Sequence, residues 1–235
     1  MNGFHRVSLK PKVFTRKFKT ETSTVPEASF TRTDISSSHI NPVKFYNVGD
    51  DEYAYCDDGY LYKKSGDCFT VYGLSATVTV PPLVLPIIRN GQRKTMIITD
   101  RSAIIDWEEL FNVPFGKSGI YFGGRLFIAS GNKVYYSAEF DFTDFSVGLS
   151  FGGFVETDAY SGEALYLFAD DEKLYIVCRY AVYTLKPFGE PYEFKMEKII
   201  SRLDVAENSI YPFGDGLNFI SGKKLYLFRG GKTKF

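Results

Sequence analysis

Five times along this 235-residue chain an alternating apolar pair is followed, eight residues after it begins, by a further apolar residue. The units are Tyr53-x-Tyr55 with Leu61-Tyr62, Met96-x-Ile98 with Ile104-Ile105, Leu126-x-Ile128 with Val134-Tyr135, Leu174-x-Ile176 with Val182-Tyr183, and Leu217-x-Phe219 with Leu225-Tyr226. Four of the five close on a tyrosine. Apolar residues two apart line one face of a strand, and the eight-residue offset is that of two strands of about five residues joined by a turn of about three or four. A recurrent hairpin is therefore the building unit, and an internal period of this kind constrains the fold class more than any composition does.

Turn chemistry separates the units. Asp57-Asp58-Gly59, Ser65-Gly66-Asp67, Asn90-Gly91, Gly123-Gly124, Ser130-Gly131-Asn132, Asp170-Asp171, Gly214-Asp215-Gly216 and Gly230-Gly231 supply residues that accept positive φ or fold a side chain back onto the turn. The unit anchors stand 43, 30, 48 and 43 residues apart, and three of these intervals match the roughly 40–50 residues of a four-stranded propeller blade. An all-β chain is expected, a β-propeller or propeller-like repeat of antiparallel sheets with about four or five blades. A β-sandwich is the alternative, because dense hairpins suit it too. The interval of 30 marks a degenerate blade or a misassigned unit. The last unit reaches the end of the chain at its hairpin, so its fourth strand is expected from the N-terminal region or from a neighbouring subunit. One helix is expected, over residues 104–111, where Asp106-Trp107-Glu108-Glu109-Leu110 makes about two turns ahead of Pro114.

Aromatic residues make up 17% of the chain, with 22 Phe and 17 Tyr against a single Trp. They are read first as sheet and core packing, with a sugar- or base-stacking surface as the second reading. The 28 basic and 28 acidic residues cancel, which argues against a protein whose main task is gripping phosphate backbones. The balance is uneven, however. Residues 1–40 carry Arg6, Lys10, Lys12, Arg16, Lys17, Lys19 and Arg32 against Glu21, Glu27 and Asp34, a net +4. Ten of the nineteen residues 20–38 are Ser or Thr, too polar to order in isolation. Within this arm Arg6-Val7-Ser8-Leu9 and Val13-Phe14 each have the makings of a short added strand. The expected organisation is an extended N-terminal arm, residues 1–40, and a β-propeller-like domain, residues 41–235.

Chemistry-bearing clusters are scarce. Both histidines, His5 and His39, fall in the arm, away from any expected sheet mouth, which disfavours histidine-based catalysis. Nucleophile-elbow, P-loop and zinc-protease patterns do not occur. The glycine pairs Gly123-Gly124, Gly152-Gly153 and Gly230-Gly231 are read as turn glycines. Asp50-Asp51-Glu52, Asp57-Asp58 and Asp170-Asp171-Glu172 fall at hairpin starts or tips; none completes a calcium loop, so they are read as solvated turn residues. Cys56, Cys68 and Cys178 have no zinc spacing and are read as buried free thiols, although Cys56 and Cys68 flank the first hairpin and could face each other. No catalytic, cofactor-binding or metal-binding residues are therefore assigned. Residues 1–10 hold no apolar run, and the most apolar stretch, residues 78–88, is too short for a bilayer and interrupted by Pro81, Pro82 and Pro86. No membrane contact is expected, and the chain reads as soluble and made in a reducing compartment.

Two resemblances attach to one segment. Ser137-Ala138-Glu139-Phe140-Asp141-Phe142-Thr143-Asp144-Phe145 resembles the Asp-box turn of sialidase-type propellers, with Asp141 where that box has glycine and the aromatic one place late. The stronger resemblance starts earlier. Gly124-Arg125-Leu126-Phe127-Ile128-Ala129-Ser130-Gly131-Asn132-Lys133-Val134-Tyr135-Tyr136-Ser137, followed by Asp141-Phe142-Thr143-Asp144-Phe145, resembles a recurrent hairpin and turn of bacteriophage propeller proteins. Gly162-Glu163-Ala164-Leu165 and Leu174-Tyr175-Ile176-Val177 resemble the hairpin that follows it there. The resemblance covers about residues 118–185.

That family resemblance implies a non-enzymatic virion protein of the tail or head–tail junction, similar to packaged-DNA stabilisation and tail-hub proteins and assembled in the host cytoplasm. It implies no catalytic residues and no cofactor. The partners then expected are other virion proteins and further copies of this chain in a homo-oligomeric ring, engaged through residues 1–40; DNA contact is not indicated by the net charge. The alternative function is a carbohydrate-binding or glycosidase-like propeller, and a third is a solitary scaffold domain of a host bacterium.

Overall fold

The computed structural model describes residues 29–30, 40–66, 68–74, 76–147, 151–213 and 216–229. All five hairpins form where the period puts them, each as the second and third strands of an antiparallel sheet. The first sheet runs β2 (Pro42–Val48), β3 (Asp51–Cys56), β4 (Leu61–Ser65) and β5 (Cys68–Val71), with β1 (Ser29–Phe30) beyond β5. The second holds β6 (Leu83–Arg89), β7 (Gln92–Ile98), β8 (Ala103–Ile105) and β9 (Glu108–Leu110). The third holds β10 (Ser118–Phe122), β11 (Arg125–Ser130), β12 (Lys133–Tyr136) and β13 (Gly153–Glu156). The fourth holds β14 (Ala164–Ala169), β15 (Leu174–Cys178), β16 (Ala181–Lys186) and β17 (Lys195–Ser201). The fifth holds β18 (Tyr211–Phe213), β19 (Gly216–Ser221) and β20 (Lys224–Arg229).

Consecutive up-and-down meanders of this size are the repeat of a β-propeller, and the fold is all-β of that class, with five blades. The sandwich alternative falls because, among the described residues, β2 to β20 run as five sequential meanders, with β1 alone out of order at the edge of the first. In the last three blades the second anchor faces the tyrosine directly: Ile128 opposite Tyr135, Ile176 opposite Tyr183, Phe219 opposite Tyr226. Their hairpin loops have only two residues, as at Gly222-Lys223 between the paired Ser221 and Lys224. In the second blade Met96 faces Ile105 across a wider turn. That blade is complete, and the tight interval of 30 reflects β8 and β9 of three residues each.

The helix expected over residues 104–111 is absent. Ala103–Ile105 and Glu108–Leu110 are strands, and Asp106 and Trp107 between them sit at φ 51° and 69°. Two successive residues at positive φ make the hairpin turn whose twist matches that of the strands. The acidic, aromatic stretch that reads as a helix is therefore a hairpin tip with its polar residues turned to solvent. Asn90-Gly91, at φ 52° and 72°, makes the same turn between β6 and β7.

The first two blades form one compact unit and the last three another. In the first unit Tyr53, Tyr55 and Leu61 pack on Val84, Ile97 and Ile104. In the second, Phe127, Ala129 and Val134 of the third blade pack on Leu174, Ile176 and Tyr183 of the fourth. The opposite face of the fourth, with Tyr175, Val177 and Val182, packs on Leu217, Phe219 and Phe228 of the fifth. The period-2 anchors of the first, fourth and fifth blades are thus inter-blade core, and part of the aromatic enrichment is packing, while residues such as Phe140, Tyr160 and Tyr192 are exposed. Buried tyrosines keep their hydroxyls bonded: Tyr55 Oη donates to the Val78 carbonyl at 2.7 Å, and Tyr62 Oη to Asp58 at 2.6 Å. Tyrosine suits these positions because it brings ring area and a polar tip to a strand end.

Candidate interaction surfaces

The connection from β12 to β13, residues 137–152, contains the end of the sequence motif. Arg125, which opens β11, is almost fully buried and sends Nη1 to the carbonyl oxygens of Ser137 (3.0 Å) and Phe151 (2.9 Å). Glu139 lies 3.7 Å from its other terminal nitrogen. Ser137 Oγ accepts from the Leu126 N–H at 3.0 Å and donates to the Ala138 carbonyl at 2.8 Å. Two side-chain turns follow. Asp141 Oδ1 accepts from the Thr143 N–H and hydroxyl, and Asp144 Oδ1 accepts from the Ser146 N–H at 2.9 Å. The loop thus fixed leaves Phe140, Val147 and Phe151 exposed. Phe140 and Phe151 sit at φ 59° and 61°, a conformation that costs an L residue about 1–2 kcal/mol. Gly124 beneath it sits at φ 78°, where a side chain is strained, and a Cβ there would lie 3.0 Å from the Phe140 ring. Beside the loop is an open cleft of about 430 Å³, lined by Phe111, Asn112, Thr143, Asp144, Phe145 and Ser146. Its single carboxylate, Asp144, is already part of a turn.

The arm makes one addition to the first blade. β1 pairs in parallel with β5, Ser29 opposite Cys68 and Phe30 opposite Phe69, outside the antiparallel meander. Where the chain enters β2, Asn41 clasps the first hairpin turn: its N–H and Nδ2 donate to the two oxygens of Asp57 at 2.9 and 2.8 Å. Those bonds hold the Asp57 carboxyl below its ordinary range. The other arm segments of interest, residues 6–9 and 13–14, lie outside the described residues, as do His5 and His39.

On the second blade Trp107 is 69% exposed, its ring 5.6 Å from that of Tyr72, which in turn lies 5.4 Å from Tyr53. Lys63 Nζ lies 5.4 and 5.6 Å from the Tyr72 and Tyr53 rings while pairing with Asp51. The shelf is amphipathic, with a flat indole at its outer end.

Charged groups elsewhere fasten connections. Lys117 bridges Glu163 (3.0 Å) and Glu207 (2.8 Å), and Arg179 meets Glu163 at 3.2 Å, tying together the entries to the third, fourth and fifth blades. Lys117 and Arg179 hold the Glu163 carboxyl below its usual range. Asp158 accepts from Lys198 and from Tyr183 Oη (2.9 Å), and Ser161 Oγ lies 2.7 Å from the same hydroxyl. The Lys198 and Tyr183 bonds hold Asp158 well below the carboxylate range. This clasp pins the link from the third blade to β16 and β17 of the fourth.

The acidic hairpin clusters do sit at turns. Asp51 and Glu52 pair with Lys63 and Lys64, and Asp170 caps its turn while accepting from Tyr175 Oη at 2.7 Å. Among the described residues no group of three or more His, Cys, Asp or Glu is placed to hold a metal ion, and no helix is long and apolar enough to cross a membrane. Cys56 and Cys178 are buried and burial pushes both thiols up to about 12. Cys68 is exposed on β5, against the expectation of burial, because it lies on the solvent side of the outermost meander strand. Gly152 and Gly153 lead into β13 rather than forming a turn, and a Cβ on Gly153 would lie 2.7 Å from Tyr136 Oη.

No family model and no curated protein matches the chain. Among solved structures it is similar to the extracellular domain of a protein described as hybrid two-component system BT4673 from B. thetaiotaomicron, at 11% identity and a TM-score of 0.52 over 83% of this chain and 27% of that one. It also matches BamB from Moraxella catarrhalis, at 12% identity and a TM-score of 0.45 over 77% of this chain and 55% of that one. A third match is YCF48 bound to D1 peptide, at 12% identity and a TM-score of 0.49 over 77% and 62%. The chain therefore spans between about a quarter and two thirds of the length of these proteins. At such identities the likeness is one of fold alone.

Proposed function

We propose that the chain is a non-enzymatic structural component of a phage virion, at the tail or head–tail junction, that assembles with neighbouring subunits through residues 1–40. The observation that carries this reading is β1: part of the polar, basic arm is already an added strand on a sheet edge, outside the meander to which the propeller period belongs. Strand addition binds by main-chain hydrogen bonds and needs no pocket. A Ser/Thr-rich arm keeps its ordering cost until a partner is present. The motif segment agrees with this role, because Arg125 uses a buried charge to hold a loop that presents apolar side chains. A repeated head-to-tail contact of this type closes into a ring where its rotation permits.

Light scattering after size-exclusion chromatography, on the full chain and on residues 41–235, tests the reading. A discrete oligomer that becomes monomeric without the arm is the expected result. Monomers in both samples would remove the assembly role.

A second reading, a carbohydrate-binding propeller, draws on Trp107 and Tyr72. An exposed indole beside a second ring is a stacking platform for a sugar face. Glycan-array binding that is lost on Trp107→Ala would favour it over assembly.

A further inference from the structure

The hairpin tip between β8 and β9 holds a tryptophan where the fold has least use for one. Trp107 sits at φ 69°, directly after Asp106 at φ 51°, in a turn that asparagine and glycine make without strain. For a bulky side chain such a φ is an outlier, and outliers of this kind gather at ligand sites. The indole is 69% exposed, so burial does not offset the strain. Its ring contact is with Tyr72, 5.6 Å away and inclined at 58°.

The two rings are the walls of a corner. The cleft between them, with Thr95, Ile97, Ile104 and Asp106 in its lining, is too tight to admit a water molecule. A ligand therefore rests against the rings rather than inside the cleft. The neighbouring corner, between Tyr72 and Tyr53 at 5.4 Å and 56°, is taken by Lys63, whose Nζ lies 5.4 and 5.6 Å from the two rings. A flat ribbon of sugars stacks on rings that share a plane, and walls inclined at 58° do not. They suit a single pyranose, one apolar face on the indole and one edge on Tyr72. Sugar C–H groups carry partial positive charge and meet the negative face of an aromatic ring.

The rim supplies the polar contacts. Asp106 pairs with Lys94 at 3.2 Å, the carboxylate side chain 48% and the lysine side chain 30% exposed. A carboxylate only accepts and an ammonium only donates, so the pair complements two neighbouring hydroxyls. Its charges cancel, as do those of Asp51 and Lys63 on the inner side. An acidic sugar would meet the Asp106 carboxylate with the adjacent cation already engaged, whereas a neutral one meets no such penalty.

We propose that the Trp107–Tyr72 corner binds one neutral hexopyranose at the non-reducing end of a glycan, stacked on the indole and hydrogen-bonded through adjacent hydroxyls to Asp106 and Lys94. It rests on the reading of this shelf as a sugar platform and names the ligand; the role of the arm does not enter.

The test follows the emission of the single tryptophan in the full chain. The probes are the methyl glycosides of galactose, glucose and mannose, with glucuronate as an acidic sugar and cellohexaose as an extended ribbon. A saturable shift with at least one methyl hexoside is expected, with no response to glucuronate and no tighter binding of cellohexaose than of methyl glucoside. Lys94→Met and Tyr72→Leu, which keep the indole, should each weaken binding about tenfold. Trp107→Ala, followed by calorimetry, should abolish it without lowering the thermal midpoint. Should Tyr72→Leu fail to fold, Lys94→Met on the exposed rim carries the comparison. Cellohexaose binding without any hexoside binding leaves the platform reading standing and overturns the single-sugar corner. Binding of glucuronate alone overturns the neutral ligand, and unchanged affinity in the Lys94 and Tyr72 variants overturns the corner geometry. No response to any of these sugars, by emission or by calorimetry, sinks both the proposal and the sugar reading.

Discussion

The guanidinium of Arg125 holds the carbonyl of Phe151 at 2.9 Å, across 26 residues of chain and with almost no exposure of the arginine to solvent. The same nitrogen reaches Ser137, so one buried cation fixes both ends of the loop that displays Phe140 and Phe151. Removing it strands two carbonyls and frees a loop that is strained at two positions. Hydrogen bonds to a charged donor contribute about 1.5–3 kcal/mol each, with non-additive losses. Arg125→Met is expected to lower stability by about 3 kcal/mol, measured by denaturant unfolding. Arg125→Lys should recover little of this, because one ammonium lacks the planar fork that serves two acceptors. A loss below about 1 kcal/mol in the Met variant would mean that the loop is held by its aspartate turns alone.

Acid should loosen the link between the third and fourth blades first. Asp158 has a folded-state pKa depressed by its bonds from Lys198 and Tyr183. A depressed carboxylate contributes stability that is fully present above its unfolded pKa, about 3.9, and is lost as pH falls through the folded value. The window therefore lies below about pH 4. Glu163, held down by Lys117 and Arg179, adds in the same direction. In thermal unfolding followed from pH 6 downward, Asp158→Asn should be less stable than the parent at pH 6 and converge on it in strong acid. Parallel curves at all pH values would show that the clasp is not linked to folding.

Much of the architecture is legible because the apolar anchors of the first, fourth and fifth blades are also inter-blade core. Ile176 and Phe219 had to be apolar, two apart from their partners and followed by a paired residue on the next strand, and that triple demand leaves a period in the sequence. The hairpin at Asp106-Trp107 reads as a helix in the sequence because Trp107 gives no sign of a turn at positive φ, whereas Asn90-Gly91 does. The surfaces were harder to see. Arg125 looks like any strand-opening arginine until its two acceptors, 12 and 26 residues away, are brought to it by the fold. Its place between a glycine and an apolar strand was the available signal. The pairing of Asp158 with Lys198 spans 40 residues and had no local pattern at all.

Thiol chemistry separates the three cysteines. Burial raises the Cys56 and Cys178 thiols to about 12, so at pH 8 neither supplies thiolate or access, whereas Cys68 is exposed. Only the thiolate reacts with disulfide reagents. A native sample should therefore titrate one thiol rapidly, lost in Cys68→Ser, and all three in denaturant. Fast reaction of a second thiol without denaturant would show local opening at the β3 end or at β15.

Trp107 gives the sharpest separation between assembly and sugar binding. At φ 69° it occupies a position that glycine fills at least cost, and its exposed ring makes one tilted contact with Tyr72. For stability alone, Asp106→Asn with Trp107→Gly should be favourable by about 1 kcal/mol, since it installs the sequence preferred by this hairpin turn. A side chain kept at such a cost and left exposed is explained by a ligand more readily than by packing. The single tryptophan also reports on itself, because its fluorescence arises from this one turn. If oligosaccharides shift that emission saturably and the stabilised double variant loses binding, the shelf is a sugar site. If emission changes only on oligomerisation of the full chain, Trp107 lies at a subunit contact. An emission indifferent to both, with the expected gain in stability, would leave Trp107 as a turn residue without a ligand.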